Sequence, residues 1–292
     1  MDSKTAPPAN SATFFGSLAN RTTVFSGLGR GSGKTSALGL ALHEARKAGP
    51  VAVFTVGFEG GDASSIKIGP GDIVVTTAPL ARSSDAALET IGALPGRSAI
   101  GQLCLCRAVR AGAVSPVGPG HLSQLAGAVE FVFGEGLAKS ALVDGAGGRI
   151  TQAGALPDCQ LAYCAMADGA NYRRVAQNIE MVAALAALPV DACLDKDGNG
   201  MLWVDGPLTQ PMADGLGKGI ARISIDTFTD CFLNPPEFRS AAQRYNIAVR
   251  RQVPLLGFVL GLKNLEPRAF PVAAPIKAKI LFNPFGTGTL PQ

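Results

Sequence analysis

The sequence predicts an α/β protein with a largely parallel sheet covered by helices on both faces. Short apolar, β-prone runs alternate with segments of helical period, which is the pattern of strand–helix–strand units. A glycine-rich turn, "GLGRGSGKT", joins the first of these runs to the first helical segment. The 292 residues are 47% hydrophobic and only 16% charged, enough to bury a substantial core.

Taken in order, residues 1–20 are rich in Pro, Ser, Ala and Asn and read as a flexible lead-in. Residues 22–26 form the first strand, and the helical pattern opens at Lys34. There Ala37, Leu38, Ala41, Leu42 and Ala45 share one face, and Gly49-Pro50 closes the segment. Strand-like runs follow at 51–58, 73–77, 100–107, 140–144 and 160–165. After Asn171 the helical period returns in Tyr172, Val175, Ala176, Ile179, Val182, Ala183 and Ala186.

The texture changes after Pro189, so the expected organisation is a nucleotide-binding domain at 21–188 and a smaller α/β subdomain at 189–292. "DACLDKDGNGMLWVDG" reads as a hairpin, with Asp197-Gly198-Asn199-Gly200 as its turn. A strand at 221–226, a helix opened by Asn234-Pro235-Pro236-Glu237, and apolar runs at 253–259 and 276–282 complete the chain. These make either a smaller lobe or an extension of the first sheet.

Composition excludes several function classes. The net charge is +4, but Arg107 and Arg110, Arg173 and Arg174, and Arg250 and Arg251 stand apart with no interleaved aromatics, so no nucleic-acid partner is expected. The N-terminus holds no apolar signal region, and the apolar stretch at 181–190 falls short of the roughly 20 residues of a membrane span. A soluble, cytoplasmic protein without membrane contact is expected.

Six cysteines in a chain of this length read as buried reduced thiols, with Cys104 and Cys106 two apart on one strand and facing the same way. With His43 and His121 as the two histidines and no Cys-x-x-Cys pair, neither a zinc site nor Ser-His or Cys-His catalysis is expected. Asp195, Asp197, Asn199 and Gly200 match the first, third, fifth and sixth positions of a calcium loop, but Gly206 stands where the bidentate Glu is needed. The segment therefore reads as the hairpin.

A phosphate-binding loop needs converging backbone N–H groups, glycines where side chains would block the anion, a helix N-terminus behind them, a lysine and a metal-binding hydroxyl. The stretch Gly29-Arg30-Gly31-Ser32-Gly33-Lys34-Thr35-Ser36 supplies all of them, so these residues are expected to hold ATP and Mg²⁺. Lys34 would follow the β- and γ-phosphates, and the Thr35 hydroxyl would ligate the metal. One departure is that Leu28 occupies the place of the first glycine in the strict GxxxxGK[ST] pattern. The fold expected from this loop is P-loop NTPase-like.

Asp144 closes the apolar run Ala141-Leu142-Val143 and is the expected second metal ligand. Glu59 and Asp62, after the strand that follows the first helix, are candidates for positioning water or metal. Arg30 reads either as a solvent-facing side chain or as one that reaches a phosphate of its own subunit or, in a homo-oligomer, of a facing one. No Asn-Lys-x-Asp or Thr-Lys-x-Asp guanine clamp is present, which favours ATP over GTP.

In "SGLGRGSGKT", "VDGAGGR" and the closing "AKILFNPFG" the chain resembles the P-loop subunit of the lysine 5,6-aminomutase reactivase, over about residues 22–286. The resemblance implies an ATP-dependent helper that works with a second ATPase subunit to exchange damaged cobalamin out of an adenosylcobalamin-dependent aminomutase. It also implies that Gly31, Gly33, Lys34 and Thr35 hold ATP and Mg²⁺, that Asp144 faces the metal, and that Arg149 lies in the loop behind it. Where such relatives carry a Thr-Gly-Ala turn, this chain has Asp168-Gly169-Ala170.

The leading expectation is thus an ATP-hydrolysing accessory protein. The alternative is a small-molecule kinase or ATP-dependent ligase, for which Asp226 and Thr227 read either as lining an acceptor cleft or as capping their strand. A third is a module that holds nucleotide without turning it over.

Overall fold

Parallel strands buried on both faces should read as nearly continuous apolar runs, and here they do. The structure, a computed structural model, describes residues 11–57, 65–98, 100–145, 150–191, 200–217 and 219–284. In chain order its first half comprises α1 (Ser11–Phe14), β1 (Thr22–Gly27), α2 (Lys34–Ala45), β2 (Val51–Thr55), β3 (Ile66–Ile68), β4 (Ile73–Thr77), α3 (Ala78–Ser83), β5 (Ala87–Ser98), β6 (Gly101–Arg110) and β7 (Gly112–Val114). The second half comprises α4 (Leu122–Gly134), β8 (Ser140–Asp144), α5 (Thr151–Ala155), β9 (Cys159–Ala167), α6 (Tyr172–Ala186), β10 (Met201–Trp203), α7 (Gln210–Gly215), β11 (Arg222–Ile225), α8 (Pro235–Arg244), β12 (Asn246–Val249), β13 (Leu255–Leu262), α9 (Ala274–Lys277) and β14 (Ile280–Phe282).

Among the described residues nine strands form one mixed, mostly parallel sheet in the order β14-β13-β9-β1-β8-β2-β4-β6-β5. The run from β14 to β4 is parallel, and β6 and β5 add on antiparallel. β10, β11 and β12 form a small parallel sheet of their own, and β3 pairs with β7. No helix among the described residues is long and apolar enough to cross a membrane.

Alternation along each strand divides the core into two faces. Phe25, Val51, Val53, Leu142, Ala162 and Cys164 point toward α2, whose buried stripe is the one read from the sequence: Ala37, Leu38, Ala41, Leu42 and Ala45. Val24, Ala52, Phe54, Ala141, Val143 and Leu161 point the other way, toward α4 and α5. Farther along that second face, α6 lays Val175, Ala176, Ile179 and Val182 on Tyr163, Ala165 and Phe258. Gly49, at φ 139°, ends the short 3-10 extension of α2 where the sequence places the stop. Asn234 and Glu237 cap α8 reciprocally.

The structure resolves or corrects several points of the sequence reading. Phe15 and Leu18, in the stretch read as a flexible lead-in, are fully buried against the α2 face, where Phe15 meets Phe25. β13 and β14, in the C-terminal third, join the main sheet beside β9, while β10–β12 stand apart; both of the arrangements left open by the sequence are therefore present. β5 was missed. It is an edge strand with bulges, and it tolerates Gly92 and Pro95 because an edge leaves backbone groups unpaired on one side. Only Ile280–Phe282 of the run at 276–282 is extended, after the turn of helix α9. Half of the segment read as a hairpin, 192–199, lies outside the described residues; β10, in its second half, pairs in parallel with β11.

Candidate functional site

β1 ends at Gly27 inside the sheet. A Cβ there would overlap the Cys164 carbonyl of neighbouring β9, so only glycine fits, and the next amide, Leu28 N, donates to that same carbonyl (3.2 Å). Leu28 packs its side chain against the core beneath α6, which explains why a leucine is accommodated at the start of the turn. The chain then turns through Gly29, Gly31 and Gly33 at φ 122°, 71° and 82°, a left-handed path closed to most side chains.

Gly33 is the N-cap of α2 and brings no side chain to cap it. The Ala37 N–H bonds Gly33 O (2.9 Å), so the amides of Lys34, Thr35 and Ser36 precede the first intrahelical bond. They mark the positive end of a twelve-residue helix. Lys34 Nζ folds over the loop, donating to Gly29 O (3.0 Å) and, at longer range, to Ser32 Oγ (3.5 Å). Ser32 is buried, Ser36 is half-buried and Arg30 is exposed at the tip. Amides, ammonium and helix end together form an anion-binding cradle.

β8 lies beside β1 with Asp144 in register with Phe25. The Thr35 hydroxyl donates to Asp144 Oδ2 at 2.9 Å, joining residues 109 positions apart. Thr55, in register with Asp144 on β2, donates to its backbone carbonyl (3.4 Å). A hydroxyl and a carboxylate at the mouth of the loop are hard oxygen donors of the kind Mg²⁺ takes. Beneath them Cys164 is fully buried. Burial pushes its thiol far above the usual range, the Asp144 charge pushes the same way, and Lys34 opposes both.

Sequence reasoning missed three contributors. Thr55 is one; its signal was its place at a strand end. Gln152 is the second: it is buried on α5, with Oε1 2.9 Å from where a Cβ on Gly145 would lie. The third is the segment 117–119, which crosses the end of β2, with Gly57 N bonded to Pro119 O and Gly118 N to Gly57 O.

Glu59 and Asp62 lie within 58–64, Arg149 within 146–149 and the calcium-like Asp195, Asp197 and Asn199 within 192–199, all outside the described residues. Asp168 Oδ1 accepts from the Ala170 and Asn171 amides while Asn171 Oδ1 accepts from Asp168 N, each at 2.9 Å, so that loop is a self-bonded start for α6. Thr227 is fully buried and caps a 3-10 turn, and Asp226 faces Arg250 and Arg251 across 3.9 Å; neither borders the glycine loop. Cys104, Cys106, Cys159, Cys164 and Cys231 are free thiols, and no group of three or more His, Cys, Asp or Glu converges among the described residues.

Comparison of the chain with protein-family models, with curated proteins and with solved structures finds no match.

Proposed function

We propose that the loop from Gly29 to Ser36 binds ATP with Mg²⁺ in a P-loop NTPase-like site and that the protein hydrolyses it slowly. The observation that carries this reading is the 2.9 Å contact between Thr35 and Asp144 at the mouth of a glycine loop that opens a helix. No local feature of sequence requires those two residues to meet, and a Mg²⁺–triphosphate site does.

In this reading the amides of the loop take the phosphate oxygens, and Lys34 leaves Gly29 O to follow the negative charge. Thr35 and Asp144 would hold the metal, which would supply positive charge to neutralise what develops on the phosphates. The missing guanine clamp supports ATP over GTP.

The resemblance extends the proposal to an accessory role: reactivation of an adenosylcobalamin-dependent aminomutase by cofactor exchange, together with a second ATPase subunit. Hydrolysis alone is then slow and is stimulated by the partner.

The test is calorimetric titration with Mg-ATP, followed by phosphate release with and without the mutase, for the wild type and Lys34→Ala. Saturable binding that Lys34→Ala weakens supports the site. Full affinity and turnover in Lys34→Ala would overturn it, and mutase that leaves phosphate release unchanged would remove the accessory role.

A further inference from the structure

α5 stands between the nucleotide site and the small β10–β12 sheet, and each of its ends is in close contact with one of them. Toward the site, Gly145 follows Asp144 and bonds Phe25 O (2.8 Å). A Cβ on Gly145 would fall 2.8 Å from Phe25 O and 2.9 Å from Gln152 Oε1, so the strand end bearing Asp144 is wedged between β1 and α5. Toward the small sheet, a Cβ on Gly154 would overlap Thr229 Oγ1, in the 3-10 turn Phe228–Asp230 that follows β11.

Arg251 locks this arrangement. It stands two residues past β12 and donates through Nη2 to Gly154 O and through Nη1 to Leu156 O (3.5 Å), carbonyls that the end of α5 leaves over. The same guanidinium lies 3.9 Å from Asp226, which faces Arg250 at the same distance, and Arg250 stacks 3.8 Å over the ring of Trp203 at the end of β10. A line of neighbours therefore runs from Asp144 through Gly145, Gln152, Gly154, Arg251, Asp226 and Arg250 to Trp203.

We propose that Arg251 is a positioning residue for the nucleotide site: it seats α5 against Gly145, sets where Asp144 stands relative to Thr35, and passes occupancy of the loop to the small sheet. The proposal rests on the reading of the glycine loop as a Mg-ATP site. The coupling runs through the close approaches of α5 to Gly145 and to Thr229, since a packed interior transmits displacement. Linkage makes it reciprocal: if the small sheet biases Mg-ATP affinity, Mg-ATP biases the small sheet to the same degree.

Trp203 is the single tryptophan of the chain, which makes its emission a built-in reporter. The experiment titrates the full-length protein with Mg-ATP by calorimetry and, in parallel, by Trp203 fluorescence. The expected result is an emission change that saturates at the same nucleotide concentration as the heat. In Arg251→Ala that change is lost and Mg-ATP affinity drops about tenfold, whereas affinity for ATP in EDTA stays within about twofold. Arg251→Lys, which keeps a donor near the α5 carbonyls, recovers part of both. If circular dichroism shows Arg251→Ala to be unfolded, Thr229→Ala takes its place, loosening the Gly154 contact with every charge retained. Wild type that binds Mg-ATP with no change at Trp203 overturns this proposal and leaves the nucleotide site standing. Wild-type affinity and signal in the variants overturn it too. Wild type that does not bind Mg-ATP at all overturns the nucleotide site itself, and this proposal with it.

Discussion

If the glycine loop holds Mg-ATP as proposed, removing the Thr35 hydroxyl separates its metal-binding part from its phosphate-binding part. In the ligand-free protein Thr35→Ala deletes one hydroxyl-to-carboxylate bond of 2.9 Å. Such charge-assisted bonds contribute about 1.5–3 kcal/mol, and because both partners are only half-buried the lower end applies, about 1–2 kcal/mol of folding stability. In the proposed Mg-nucleotide complex the same oxygen would go to the metal. Losing a supported metal contact costs on the order of 10–100-fold in affinity, or about 1.4–2.7 kcal/mol. The hydroxyl does not serve the phosphates, so affinity for metal-free nucleotide stays within about twofold.

The assay is calorimetric titration with ATP in Mg²⁺ and in EDTA for the wild type, Thr35→Ala and Thr35→Ser, with urea unfolding of each. Thr35→Ser restores both stability and Mg²⁺ dependence. An equal loss of affinity with and without Mg²⁺, or none in Mg²⁺, refutes the assignment of Thr35 and Asp144 as the metal pair.

Two further predictions concern the scaffold. Asp72 is fully buried and accepts from Arg46 Nε (2.7 Å), Gly69 N (2.7 Å) and Val51 N (3.3 Å), tying the end of α2 to the start of β2 and β4. Asp72→Asn breaks this buried pair and, with Arg46 partly solvated, lowers stability by about 2–3 kcal/mol; a shift in the urea midpoint worth less than about 0.5 kcal/mol would contradict the geometry. The second is an alkaline limb. Burial pushes the Cys159 and Cys231 thiols from about 9 to about 11, with the Arg251 charge pulling Cys159 the other way. A folded value above the unfolded one means that the stabilisation is whole below pH 9 and is lost as pH rises from 9 to 11, by about 1.4 kcal/mol per pH unit for each thiol. Urea unfolding between pH 8 and 10.5 measures this slope, and a Cys231→Ala variant that keeps the full wild-type slope would show the reasoning to be wrong.

The parts of this protein legible in the sequence are those that depend on near neighbours. The stripe of α2 from Ala37 to Ala45, the stop at Gly49, the cap at Asn234, the strands Ile73–Thr77 and Ser140–Asp144, and the left-handed turns through Gly31 and Gly33 all follow from backbone preference and spacing within a few residues. β5 was not legible, since its Gly92 and Pro95 obey edge-strand tolerance rather than strand propensity, and a sequence does not announce which strand will be an edge.

Only the tertiary structure decided that Asp144 meets Thr35, that β13 and β14 lie beside β9, that Phe15 and Leu18 close the α2 face, and that Arg251 reaches the end of α5. Each of these contacts joins segments whose separation in the chain carries no preference of its own. What selects them is which apolar faces can be buried together once the strands have paired. Local chemistry therefore wrote the glycine loop, and non-local burial placed a carboxylate beside it.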